Sequence, residues 1–302
     1  MRHVPVMLHE VIESMALQTN MKVIDCTLGD AGHSDAILKK IGDGRLLAID
    51  ADPEAVLRAK QFLYEYENQV IFVRDNFVHL QKIVTENNFA PVDRILIDLG
   101  WSTPQFADRK RGFSFLQDEP LDMRYSGNAE VSKQTAAELI ASKSEKELEY
   151  IFRLYGEEKL SQEIAVAIVN FRKTKNIETT GQLVTIILDT YRKKLGSTKE
   201  IPWIGGLHPA TKIFQALRIA VNEELEVLEQ ILPQAIQVLA PGGRLAVITF
   251  HSLEDRIVKH YFKSKELKTV KIITKKPLVC SAEEYESNPP SRSAKLRVIE
   301  KI

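Results

Sequence analysis

Cysteine is nearly missing from this chain of 302 residues, which holds only Cys26 and Cys280. That scarcity excludes a disulfide scaffold and a cysteine-only zinc site, and a free thiol beside a glycine turn suits a reducing compartment. No apolar run approaches the roughly 20 residues that span a bilayer. Glu10 and Glu13 interrupt the amino-terminal stretch where a signal peptide needs an unbroken apolar core, so a cytoplasmic protein with no membrane partner is expected. An excess of either charge is also lacking. With 41 Lys and Arg against 41 Asp and Glu, the chain is not an indiscriminately basic nucleic-acid binder. Local basic clusters do occur, at Arg109–Arg111, Arg172 to Lys175, Arg192–Lys194 and Lys271 to Lys276. No His/Cys/Asp group has ligand spacing, so no metal is expected. Repeats and low-complexity tracts are absent. The length suffices for one large or two modest domains with true cores.

What is present is organised around Val23-Ile-Asp-Cys-Thr-Leu-Gly-Asp-Ala-Gly-His-Ser34. An apolar run stops at Asp25, glycines follow at Gly29 and Gly32, and a helical pattern starts at Ser34. A strand, a tight turn and a helix N-terminus in succession let backbone N–H groups approach a ligand, with the helix dipole favouring an anionic group. Strand-like runs recur at Arg45–Asp50, Val70–Val73 and Val92–Leu99, each separated from the next by a helical pattern. Near-continuous apolar strands joined by crossover helices imply a mostly parallel sheet covered on both faces.

From about Pro104 to Gly206 the strands stop, and helices are predicted over Glu130–Ala141, Glu145–Tyr155, Leu160–Arg172 and Thr180–Leu195. The earlier rhythm then returns. Helices are predicted at Pro209–Val221 and Glu223–Val238, a turn at Ala240–Gly243, a strand at Arg244–Phe250 and a helix from His251. Two last strands are expected at Val270–Thr274 and Leu296–Ile299, with Ser281–Ser291 between them as a loop. The domain organisation that follows is a sheet-forming domain from 1–104 and 207–302, interrupted by an all-helical insertion at 105–206.

Asp50 ends the second strand about twenty residues after the glycine turn, where a ribose-binding carboxylate belongs in dinucleotide sites. The turn itself, Gly29-Asp-Ala-Gly32, lacks the third glycine of a pyrophosphate finger. A ligand with a ribose and no pyrophosphate therefore fits better than a nicotinamide dinucleotide, and S-adenosylmethionine is such a ligand. Beyond the fourth strand, Asp98-Leu-Gly-Trp-Ser-Thr-Pro-Gln105 places an acid, hydroxyls and an amide together. An exocyclic nucleobase amine is a poor nucleophile, and oxygens that accept its N–H groups hold it in line for attack. Asp98 is the principal candidate for that role. Ser102 either helps it or caps a turn, and His251 either contacts the base or makes a structural hydrogen bond.

Longer stretches then carry a resemblance. They include His3–Glu10, Asp25–Ser34, Leu47–Pro53, Asp98–Gln105, Arg111–Phe115, Pro120–Arg124 and Tyr155–Glu158. They continue with His208–Arg218, Pro241–Leu245, Phe250–Arg256 and Arg292–Arg297, in order along nearly the whole chain. On these the sequence resembles the bacterial 16S ribosomal RNA cytosine-N4 methyltransferase family (RsmH/MraW). The resemblance implies a class I S-adenosylmethionine-dependent methyltransferase fold, α/β and Rossmann-like, with the methyltransferase domain at 1–104 and 207–302 and the inserted helical domain at 105–206 serving RNA recognition. It implies methylation of a cytosine N4 in the decoding region of 16S rRNA, in the small ribosomal subunit, by a monomer or homodimer. It also implies cofactor contacts from Gly29, Ala31, Gly32 and His33, from Asp50 at the ribose, from Phe77 and Asp98 at the adenine and methionine ends, and from Gln105 closing the site. Three stretches depart from the family: Ala31 replaces a glycine and so disfavours positive φ, Trp101 replaces a smaller apolar residue, and Asn288-Pro-Pro-Ser-Arg292 lacks an arginine. Two other readings stay open. One is a DNA or other nucleobase amino methyltransferase; the other is an RNA-binding assembly factor with a vestigial cofactor site.

Overall fold

The computed structural model describes residues 4–99, 111–125, 134–196 and 207–302. Trp101, Ser102 and Gln105 lie outside them. The chain divides into two compact units, 1–102 with 225–302, and 103–224.

The first unit is built on a seven-stranded sheet in the order β3-β2-β1-β4-β5-β7-β6. The strands are β1 (Lys22–Asp25), β2 (Arg45–Asp50), β3 (Val70–Arg74), β4 (Val92–Asp98), β5 (Leu239–Thr249), β6 (Val270–Ile272) and β7 (Lys295–Lys301). The first five run parallel, while β7 lies antiparallel to both β5 and β6. The expected strands all form. Pro241-Gly-Gly243 does not separate two elements but is absorbed into β5, where the register to β4 shifts between Val92 and Arg94.

Alternation along the strands sends residues to opposite faces. Ile24, Leu47, Ile49, Ile95, Ile97, Leu245 and Val247 pack under α4 (Leu80–Glu86), α10 (Glu224–Val238) and α11 (Ser252–Lys265). Val23, Leu46, Ala48, Leu96, Ala246 and Ile248 pack under α1 (Leu8–Met15), α2 (Gly32–Ile41) and α3 (Pro53–Phe62). Fully burying one such side chain contributes roughly 1.5–3 kcal/mol. Asp52 caps α3 through the Glu54 N–H, with Pro53 at the first helical position, as local sequence predicts.

A second expectation changes in this unit. Ser281–Ser291 is not a plain loop: it contains α12 (Ala282–Ser287) and a 3₁₀ turn, Pro289–Ser293. The Ser281 hydroxyl accepts the Glu284 N–H at 3.1 Å and supplies the N-cap, a signal that the polar composition masked.

The second unit contains α5 (Ala136–Ser142), α6 (Glu145–Leu154), α7 (Ser161–Arg172), α8 (Thr180–Leu195) and α9 (Thr211–Asn222). Capping boxes at Thr135/Glu138, Ser144/Glu147 and Thr179/Gln182 start three of them. Among the described residues the first begins at Ala136 with Thr135 in the capping position; Glu130, where the prediction starts it, lies with the rest of 126–133 outside them. The helix predicted from Pro209 is α9, and it belongs to this unit rather than to the sheet unit with which its sequence neighbours suggested it belonged. No helix among the described residues is long and apolar enough to cross a membrane.

The amino-terminal helix is fastened from below. Buried Arg94, in the middle of the sheet unit, donates to the carbonyls of Met15 and Ala16 at the end of α1 and to that of Asp93. Arg244 donates to the carbonyl of Ser14 at 2.8 Å. Two guanidinium groups thus neutralise the negative end of the α1 dipole. Arg94→Ala leaves those carbonyls without their donors, and urea unfolding is expected to show a loss of about 2–3 kcal/mol with an unchanged m-value.

Candidate functional site

Three acids end three adjacent parallel strands. Asp25 pairs in register with Ala48 of β2 and Leu96 of β4, so Asp50 and Asp98 each stand two residues farther out along the same edge. The chain after Asp25 drops into the notch between them. The Cys26 N–H donates to Leu96, and the Leu28 N–H donates to Ile49. The Gly29 N–H donates to Asp50 Oδ2 at 2.9 Å, and the Asp98 N–H donates to Thr27 Oγ1 at 2.8 Å. The loop is therefore tied to both flanking strand ends by hydrogen bonds.

Asp25 is buried and belongs to the loop's own support. It accepts from the Ser34 hydroxyl at 2.7 Å and from the Thr27 N–H at 3.0 Å, while burial holds its pKa above the usual carboxylate value. Cys26 beside it is buried as well. Burial first, and the Asp25 charge second, raise its thiol well above the ordinary value and keep it unreactive.

Gly29 takes a left-handed backbone, φ +50°, and a side chain there would meet nothing nearer than the Thr27 carbonyl at 3.8 Å. The loop surface at Gly29 is open. Ala31 also adopts a left-handed backbone, φ 60°, despite its methyl group. Its N–H donates to Leu28 at 2.7 Å, its carbonyl accepts from Asp35 at 2.9 Å, and the methyl is completely buried. These contacts outweigh a strain of about 1–2 kcal/mol, so Ala31 holds a positive φ that its methyl group disfavours. Gly32 has another reason to be glycine. A Cβ there would lie 2.3 Å from Pro5 Cγ, so the amino-terminal segment, not open space, fills the place of its side chain.

His33 is buried one residue into α2. Its Nε2 lies 3.0 Å from the Val6 carbonyl, and its Nδ1 lies 3.5 Å from Asp98 Oδ2. A carbonyl only accepts, so Nε2 carries a hydrogen. Asp98 is 14% exposed at the mouth of the notch. Asp50 is half-buried and accepts from Gly29 and from the Asp52 N–H at 2.8 Å. Burial raises its carboxyl from 3.8 to about 6 against the lowering effect of those two hydrogen bonds. Phe77 opens a 3₁₀ turn capped by Asn76 after β3 and packs half-buried against the lower core. Ser102 and Gln105, on the segment after β4, lie outside the described residues.

His251 follows β5 and is the N-cap of α11. Its Nδ1 accepts the Glu254 N–H at 3.5 Å, and its Nε2 lies 3.1 Å from Glu254 Oε1. Glu254 returns to the Phe250 N–H at 2.7 Å. The cap on Nδ1 is the bond this geometry gives His251, and its buried Nε2 makes no hydrogen bond among the described residues. Several cations of the predicted basic clusters are similarly occupied. Arg172 NH1 donates to the carbonyls of Ile140 and Lys143 at the end of α5, Arg192 pairs with Asp189 and Lys194 with Glu163. Arg218 forms a two-pronged pair with Glu224.

Sequence reasoning missed Thr27, Pro5 and Val6. Thr27 was legible as a hydroxyl inside the turn, but its partner is a backbone N–H seventy-one positions away. Pro5 and Val6 stood in a quoted motif without a role, since only tertiary packing lays them on the loop.

Two outcomes test this geometry. Gly32→Ala is expected to destabilise by about 1–3 kcal/mol through overpacking, and Pro5→Ala in the same chain to recover part of the loss, as read by a double-mutant cycle in urea. For Asp50 the native pKa of about 6 exceeds the unfolded 3.8, so the native state binds more protons in that window. Its contribution therefore favours folding fully below 3.8 and is lost as pH rises through 6. Asp50→Asn should flatten that part of the stability–pH curve.

The description "MraW methylase family" applies to a family model that matches residues 1–302. A relative from Clostridioides difficile (strain 630), named ribosomal RNA small subunit methyltransferase H, is 43% identical, with 99% of each chain covered. Another of that name, from Heliobacterium modesticaldum, is 44% identical, covering 99% of this chain and 98% of its own. Among solved structures, an rRNA methylase from Streptococcus thermophilus matches 100% of this chain and 99% of its own at 10% identity, with a TM-score of 0.47. A family model that spans every residue, together with relatives aligned end to end, means that this chain belongs to the MraW methylase family.

Proposed function

We propose that this protein transfers a methyl group from S-adenosylmethionine to the exocyclic N4 amine of a cytosine in the decoding region of 16S rRNA. It acts on the small ribosomal subunit, in the cytoplasm, as a monomer or homodimer. The observation that carries the reading is Asp98, whose backbone N–H is held at the end of β4 by the Thr27 hydroxyl and whose carboxylate faces His33. It is supported by end-to-end relatives that bear the name of a small-subunit rRNA methyltransferase.

The residues suit the cofactor. Asp50 is an acceptor beside an open glycine, as vicinal ribose hydroxyls require, and Gly29 to His33 forms a turn into a helix N-terminus that receives a carboxylate. Phe77 supplies an apolar contact for the adenine, and Gln105 closes the site. When bound, S-adenosylmethionine supplies a sulfonium methyl to the amine nitrogen, leaving a thioether and one proton to be carried away.

Asp98 accepts an N–H of the amine, which localises the nitrogen lone pair and aims it, and then takes up the released proton. Positioning of this kind supplies up to roughly 7–11 kcal/mol in well-oriented systems. Ser102 assists from the segment that follows. His251 positions the β5–α11 corner through its cap rather than handling the proton. The helical unit grips the surrounding RNA through its phosphates, with exposed Lys173, Lys175 and Lys193 as contacts and Arg172 reserved for helix capping.

Mass spectrometry of 16S rRNA from a deletion strain is expected to lack N4-methylcytosine at the decoding site, and plasmid-borne Asp98→Asn to leave it missing. With purified small subunits, that variant should lose about 100-fold or more in rate. Unchanged modification in the deletion strain overturns the assignment, and activity on free DNA but not on small subunits moves it to the DNA reading. The pH dependence of binding has a definite sign: hydroxyl donors need ionised Asp50. Affinity for S-adenosylhomocysteine by calorimetry should therefore fall as pH drops below about 6, approaching about tenfold per unit.

A further inference from the structure

The amino-terminal segment is joined to Asp98 by an unbroken series of polar contacts that begins at the other end of the chain. Glu284, in α12, accepts the Met7 N–H on Oε1 at 2.8 Å. That N–H belongs to the same peptide group as the Val6 carbonyl, which accepts from His33 Nε2 at 3.0 Å. His33 Nδ1 in turn faces Asp98 Oδ2 at 3.5 Å. We propose that His33 is a positioning residue for Asp98, and that Glu284, acting through the Val6–Met7 peptide group, sets how strongly its ring is held toward that carboxylate.

Hydrogen bonds in series polarise one another in a low-dielectric interior. A carboxylate on the N–H side of a peptide group makes its carbonyl a better acceptor, and a better acceptor at Nε2 makes Nδ1 a better proton holder. A bare Nδ1 lone pair facing a carboxylate oxygen is repulsive, whereas a proton on Nδ1 makes the contact attractive. His33 faces Asp98 from β4 and interacts with Asp25 from β1, both acids. The N-terminus of its own helix opposes a positive ring with roughly half an elementary charge.

Met7 shows that the segment is held on purpose. It is fully buried in a left-handed backbone, φ 55°, which persists only where surrounding contacts impose it. Asn288 Nδ2 donates to the same Glu284 oxygen at 3.1 Å and fixes its orientation. Pro5 seats in the gap left by Gly32, and Arg94 and Arg244 hold the far end of α1. The segment is placed at both ends, so its peptide group meets His33 in one register.

The role of Asp98 in catalysis rests on the methyltransfer reading above; the proton arrangement does not. The test is long-range ¹H–¹⁵N correlation on the full chain labelled at histidine, with His33→Gln used for assignment. In the neutral ring the proton is expected on Nε2. Glu284→Gln keeps an acceptor for the Met7 N–H, and with it the fold, but removes the charge. In that variant the Val6 carbonyl is a weaker acceptor, and the His33 Nε2–H proton resonance should move upfield of its position in the unmodified protein. For Glu284→Gln kcat should fall with an unchanged KM for S-adenosylmethionine. A neutral ring protonated on Nδ1, or a His33 Nε2–H resonance that coincides in the unmodified protein and Glu284→Gln, overturns the proposal. Spectra that behave as expected in a protein without methyltransferase activity uphold the proton arrangement and sink the functional reading instead.

Discussion

The constraint on which the site depends is the length of β1 relative to its neighbours. Because β1 ends at Asp25 while β2 and β4 run two residues farther, a notch opens at the carboxyl edge of the sheet. A loop entering that notch must satisfy its backbone groups on both sides, and it does so on Ile49, Asp50, Leu96 and, through Thr27, the Asp98 N–H. Everything that distinguishes this edge follows from those hydrogen bonds. Gly29 turns left-handed to reach Asp50, Ala31 is pressed into the same conformation to start α2, and α2 delivers His33 to Asp98.

Burial then differentiates three otherwise similar acids. Asp25 sits deepest and is consumed by the Ser34 and Thr27 bonds, so it stabilises the loop and has no spare acceptor role. Asp50 keeps two backbone donors and remains half-exposed, where desolvation makes it receptive to further hydroxyl donors. Asp98 has its backbone fixed and its carboxylate against a histidine at the opening. A single sheet edge thus holds three acids in three different environments.

The second unit follows a different logic. Its helices are started by local capping boxes, and its arginines are largely turned to carbonyl and carboxylate partners. A formal charge count along the sequence therefore overstates the cations presented to a phosphate backbone. The exposed Lys173 and Lys175 just after α7 and Lys193 in α8 remain, and screened phosphate contacts of that kind contribute affinity without sequence preference.

Much of this was legible in the sequence by itself. Strand and helix order came from hydrophobic period, Asp50 and Asp98 from their places at strand ends, and the cofactor class from a glycine that is missing. These are local properties, set by side-chain period and turn chemistry within a few residues. Tertiary structure alone decided the rest. The backbone of Ala31 follows from contacts that outweigh its own preference, and Gly32 is required by Pro5 rather than by open space. His251 turns inward because Glu254 lies one helical turn on, and α9 joins the helical unit although its neighbours in sequence return to the sheet. The Val6–Met7 peptide group has a partner on each side only because the fold brings Glu284 and His33 to it. In each case the deciding partner is distant in the chain or set by the local fold, and periodicity carries no information about which partner that is.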